Sequence, residues 1–80
     1  MEALLHTLSI YGENSRWIRE HYEELKKTFK DEWIAAMDGK VIDHDKDLVR
    51  LVERLRKKYP EKYEQIAVEF IASKEVELIL

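Results

Sequence analysis

Asp38-Gly39 joins two apolar runs, EWIAAM (32–37) and KVID (40–43), and this dipeptide narrows the fold more than any other part of the chain. A two-residue link between strands takes a type I′ turn, which needs positive φ at both positions, and Asp-Gly meets that need. With the turn there, Met37 faces Lys40, Ala35 faces Ile42 and Trp33 faces His44, so these side chains share one sheet face. Ile34, Ala36, Val41 and Asp43 share the other.

The other punctuation is sparse, because the 80 residues include two glycines and one proline. Before Gly12, Leu4, Leu5, Leu8 and Tyr11 recur at helical spacing, which predicts a short first helix ended by the glycine. Asn14 or Ser15 then caps a second helix whose apolar stripe is Ile18, Tyr22, Leu25 and Phe29. After the hairpin, Leu48, Leu51, Val52, Leu55 and Tyr59 form another stripe, with Arg54, Arg56, Lys57 and Lys58 crowding the end before Pro60. QIAVEFIA (65–72) and EVELIL (75–80) alternate as strands do, with Ser73-Lys74 between them, and read as a second hairpin. The expectation is one two-layer α+β domain over residues 1–80, in the order α-α-β-β-α-β-β. It has about four mostly antiparallel strands with helices packed on one face.

A sheet covered on one face only leaves apolar residues needing a partner. Ile71, Val76, Leu78, Ile79 and Leu80 are the interface candidates, and a protein partner or a homo-oligomer, a dimer in the simplest case, is expected to cover them. A net charge of −3 argues against nucleic acid as that partner, although Arg54, Arg56, Lys57 and Lys58 make a local basic cluster and Trp17, Trp33 and Tyr63 could stack bases. The absence of cysteine rules out disulfides and thiolate metal sites and fits a cytoplasmic protein. No apolar run approaches the ~20 residues of a membrane span, and MEALLHTLSIYG lacks the basic start of a signal peptide. Charged residues make up 39% of the chain with both signs interleaved, a composition found in proteins from hot environments.

DGKVIDHDKDL (38–48) is the one stretch that invites a catalytic or metal reading, with Asp43, Asp45 and Asp47 around His44. Alternate aspartates open a calcium-binding EF-hand loop, but the sixth and twelfth positions from Asp43 are then Leu48 and Arg54 rather than glycine and glutamate. Leu48 resists the sharp turn, and Arg54 puts a cation where the bidentate carboxylate belongs. A looser site of Asp43, His44 and Asp45 conflicts with strand alternation, which points His44 away from its neighbours. The structural reading explains more: Asp45 caps the following helix, Asp47 lies in its first turn, and His44 packs beside Trp33. Elsewhere His6, His21 and His44 lack H-E-x-x-H spacing, Ser9, Ser15 and Ser73 lie in no nucleophile elbow, and no cofactor motif is present.

The segment from Trp33 to Pro60, WIAAMDGKVIDHDKDL followed by RLRKKYP, resembles a family of small uncharacterised domains from archaea and thermophilic bacteria that carry a WVA…DGKV…H-x-KDL pattern. The resemblance implies an α+β fold and a prokaryotic cytosolic protein, and it implies no activity. The functional expectation is therefore a non-enzymatic interaction or self-associating module. The alternatives are a metal-dependent or hydrolytic accessory enzyme using Asp43, His44 and Asp45, and a nucleic-acid-linked regulator.

Overall fold

The computed structural model describes residues 2–72, with side chains from Ser9 onward. The order is α1 (Glu2–Glu20), α2 (Tyr22–Thr28), β1 (Glu32–Met37), β2 (Lys40–Asp45), α3 (Leu48–Lys58), a 3-10 turn (Tyr63–Gln65) and β3 (Ala67–Ile71).

The hairpin forms at Asp38-Gly39 with φ of 55° and 72°, as the type I′ turn requires. Its register departs from the simple pairing after two rungs. Met37 pairs with Lys40 and Ala36 with Val41, but Ala35 pairs with Asp43, Ile34 with His44 and Trp33 with Asp45. Ile42 is the extra residue of a β-bulge, so side chains beyond it swap faces relative to unbroken alternation. Asp43 and Asp45 consequently lie on one face of the sheet and His44 on the other.

β3 pairs antiparallel with β1, giving the sheet order β2-β1-β3. β2 and β3 therefore run parallel with β1 between them, and α3 is the crossover that connects them. Two features of the expected architecture are corrected. The sheet has three described strands instead of about four, in the order β2-β1-β3. The expected second hairpin, with its strand 75–80, lies outside the described residues. The helices also cover both faces. Ile18 and Leu25 of α1 and α2 pack on Ile34, Ala36, Ala67 and Ile71, while Leu51 and Leu55 of α3 pack on Ala35, Met37 and Ile66. β1 accordingly carries buried residues on both sides, and its consecutive alanines let helices approach closely. Each of the fully buried Leu51 and Leu55 contributes about 2 kcal/mol through apolar burial.

The N-terminal helices also differ from expectation. α1 runs through Gly12, and the break comes at His21. There the His21 Nδ1 lies 2.8 Å from the Trp17 carbonyl oxygen, which also accepts the His21 backbone N–H at 3.1 Å. A side chain competing for an i−4 carbonyl is an ordinary cause of a helix bend. Asn14 caps nothing: it is a buried residue inside α1. Its Nδ2 donates to the Gln65 carbonyl at 2.8 Å and its Oδ1 accepts the Asp38 N–H at 3.3 Å. One side chain thus ties the helix to the hairpin turn and to the 3-10 turn before β3. Among the described residues no helix is long and apolar enough to cross a membrane.

Candidate functional site

Two aspartates of DGKVIDHDKDL, Asp43 and Asp45, do converge on a cation, and the cation is Arg54. Asp47 is the N-cap of α3, its Oδ1 accepting the N–H groups of Val49 at 2.9 Å and Arg50 at 3.3 Å. That places Arg54 two turns along, facing the end of β2. Its Nε and Nη2 donate to both oxygens of Asp43 at 3.0 and 3.1 Å, its Nη1 donates to Asp45 at 2.8 Å, and Nη2 also reaches the His44 carbonyl at 3.0 Å. A planar guanidinium suits this forked arrangement, which lysine could not reproduce. The bulge at Ile42 is what brings Asp43 and Asp45 together onto the face that α3 covers.

Arg54 holds the Asp43 carboxyl below the ordinary aspartate range, with help from the His44 N–H. Asp45 is lowered first by the Asp47 N–H, which donates to it at 2.8 Å, and then by Arg54. Arg54 is pushed up in turn, chiefly by Asp43. The expected cap is therefore moved by two residues, from Asp45 to Asp47. The cluster is an internal salt bridge, and no group of His, Asp and Glu among the described residues is arranged to hold a metal ion.

His44 stands apart from Asp43 and Asp45. Its ring lies 5.0 Å from that of Phe29 rather than beside Trp33, and its Nδ1 is 2.9 Å from Glu32 Oε1. The three candidates for a metal or acid–base site are thus split between opposite faces. The basic cluster is also partly committed internally, because Arg54 is held by the aspartates and the Arg56 guanidinium lies 5.2 Å from the Tyr63 ring centre. Of the interface candidates, Ile71 is fully buried beneath α1 and α2. Val76, Leu78, Ile79 and Leu80 lie outside the described residues.

One concave apolar surface lies beside β3. α3 lies over β2 and β1 and leaves the β3 side of that face as a groove of about 320 Å³, lined by Tyr11, Trp33, Leu48, Val52, Tyr63 and Val68 among others. Phe70 lies outside that lining but meets one of its residues, Trp33, edge-on at 5.3 Å. Phe70 and Tyr11 are each 41% exposed, high for large apolar side chains in a small domain. The alternation of QIAVEFIA puts Phe70 on the same face as Val68 but does not reveal its exposure. That depends on where α3 crosses the sheet.

The opposite side of β3 carries Glu69. Its Oε2 is shut off from solvent and has no hydrogen-bond partner, and burial raises its carboxyl above the ordinary glutamate value, with Arg19 partly opposing the shift. Among the described residues no strand pairs with the outer edge of β3.

Residues 24–74 match the sequence model of a family of unknown function (DUF5678). The span runs from within α2 past the end of β3 and covers more than half of the chain, which therefore belongs to that family. No curated protein and no solved structure matches the chain.

Proposed function

We propose that this protein is a non-enzymatic, cytoplasmic interaction module that holds a partner protein on the strip formed by β3, Phe70 and the adjoining groove. The observation that carries the reading is the pairing of exposed aromatic side chains, Phe70 and Tyr11, with an apolar groove beside β3. Exposed aromatics around a concave apolar strip are the usual anchors of protein interfaces. The internal pairing of Asp43 and Asp45 with Arg54 supports the same reading, since it commits the most reactive-looking residues to holding α3 against β2.

The test compares the full chain with a Phe70→Ser variant. Both are used to capture protein from nuclease-treated host lysate, and both are measured by light scattering over a wide concentration range. A stoichiometric partner held by the natural chain and lost by Phe70→Ser, at equal thermal stability, supports the module. A dimer lost in the same way keeps the strip and makes the partner a second copy. A concentration-independent monomer with nothing retained, or a partner indifferent to Phe70→Ser, sinks the reading.

A further inference from the structure

At the hairpin end of the sheet, on the α3 side, is a hollow of about 290 Å³ lined by Met37, Lys58, Tyr59, Pro60, Glu61 and Lys62. β3 begins at this end and finishes with Ile71 at the other. The floor is apolar: Met37 and Tyr59 belong to the core beneath α3, and Pro60 follows where the helix stops. Ammonium groups stand around it. Lys58 and Lys62 line the hollow, and Lys40, paired with Met37 across the turn, lies on the same sheet face. All three are exposed, and among the described residues none has a carboxylate within ion-pair distance. Glu61 is the one acidic residue of the lining and offsets one of them. The carboxyl end of α3 opposes an anion with about half a charge, which the remaining lysines outweigh. From Arg56 to Lys62 four residues are basic and one acidic, in a chain of net charge −3, so the field that draws an anion is local to this corner.

We propose that this hollow binds a small organic anion, a ring or short apolar chain carrying a carboxylate or a phosphate. The apolar body rests on Met37, Tyr59 and Pro60, and the charge lies between Lys58 and Lys62 with Lys40 on the third side. Met37 is unbranched and polarizable, so its side chain adapts to a ring placed on it. The volume is at the small end of ligand pockets and holds little more than one ring. Selection comes from joining the two parts. An inorganic anion leaves the floor uncovered, and a neutral ring gives the lysines no counter-charge.

The test titrates the full, isotope-labelled chain at low salt with phenyl phosphate, phenylacetate, inorganic phosphate and benzyl alcohol. The expected result is saturable shifts in the amides of Met37, Lys40, Lys58, Tyr59, Glu61 and Lys62 with at least one organic anion. A Kd of about 1 mM is the scale for so small a ligand. The tighter of the two organic anions identifies the charged group the site prefers. Inorganic phosphate and benzyl alcohol should each bind at least about tenfold more weakly. Lys62→Gln should weaken binding about fivefold, the scale of one charge-assisted contact. Lys27→Gln, which removes the same charge from an exposed position on α2, should leave binding unchanged. Inorganic phosphate binding as well as the organic anions reduces the lysines to an ordinary basic patch and overturns the proposal. Equal weakening by Lys27→Gln, benzyl alcohol binding as well as the anions, shifts centred elsewhere, or no saturation with either organic anion overturns it too. Phe70 lines no part of the hollow, so a failure of the docking strip under Phe70→Ser leaves this site to stand or fall on its own titration.

Discussion

Replacing Asn14 with alanine sets two opposing effects against each other. Asn14 lies in the interior of α1, where alanine is the better helix former by about 0.6 kcal/mol, so local preference favours the substitution. Against it stand the bonds from Asn14 to Gln65 at 2.8 Å and from Asp38 at 3.3 Å, both partly buried. Losing each, with the partner group left poorly satisfied, costs about 1–2 kcal/mol. The net is a destabilisation of about 2 kcal/mol. With a urea slope of about 1 kcal/mol/M for a chain of this size, the unfolding midpoint should fall by about 2 M, read from the fluorescence of Trp17 and Trp33. Melting should fall by roughly 10 °C or more. Asn14→Asp keeps an acceptor for Asp38 but aims a carboxylate oxygen at the Gln65 carbonyl. It should therefore be no better than alanine at neutral pH and recover in acid, where the protonated carboxyl can donate. A midpoint for Asn14→Ala that is unchanged or higher would refute the argument, because helix propensity would then outweigh the tertiary link.

The two glycines should respond with opposite signs: Gly12→Ala, in a helix with nothing within 4 Å of the new Cβ, should stabilise by about 0.5–1 kcal/mol. Gly39→Ala, at φ +72°, should cost about 1–2 kcal/mol, and equal responses in urea unfolding would contradict the backbone argument. The Asp43 and Asp45 carboxyls are lowered in the fold, so their stabilisation is present above the ordinary aspartate value of 3.8 and is lost as pH falls through the folded values. Arg54→Met should therefore shift acid unfolding, followed by circular dichroism, to higher pH, and superimposable acid curves would count against the Arg54 clamp. Glu69 has the reverse sign: its carboxyl is raised, so its contribution is intact below the ordinary glutamate value of 4.5 and is lost as pH rises through the folded value. Glu69→Gln should be more stable than the natural chain at about pH 7, with the advantage gone at about pH 4. A pH-independent difference in urea midpoints would show that the carboxylate is not the cause.

The hairpin turn and the helical stripes were legible in the sequence because each is a local matter of φ preference or 3.6-residue spacing. The bulge at Ile42 was not. Nothing in KVIDHD distinguishes a strand with one extra residue from a regular one, and the choice is made by Arg54 and α3 on one side and Phe29 on the other. Missing it exchanged the faces of Asp43 and His44. The helix break was misplaced for a similar reason: Gly12 is a helix stop by preference, yet the anchoring of Asn14 and Ile18 on the sheet carries α1 through it. The apolar run EWIAAM did carry a sign of burial on both faces, in its lack of polar alternation, and that could have predicted helices on both sides of β1. Arg54 was read as the residue that breaks a calcium loop. The same fact, a cation aimed at paired carboxylates, describes what the structure does with it.

Because α3 carries the chain across β1, the two halves of the sheet assemble by unlike routes. β1 and β2 meet through a two-residue turn, whereas joining residue 35 to residue 68 closes a loop of roughly thirty residues, which costs about 2 kcal/mol more in chain entropy. The hairpin is therefore the early event and the arrival of β3 the late one, with one edge of β1 left bare in the interval. Winding of α3 shortens the path that β3 must search. Loss of the Asp47 cap should then slow refolding more than it hastens unfolding, and the hazard of mispairing between chains is concentrated in the time α3 takes to form.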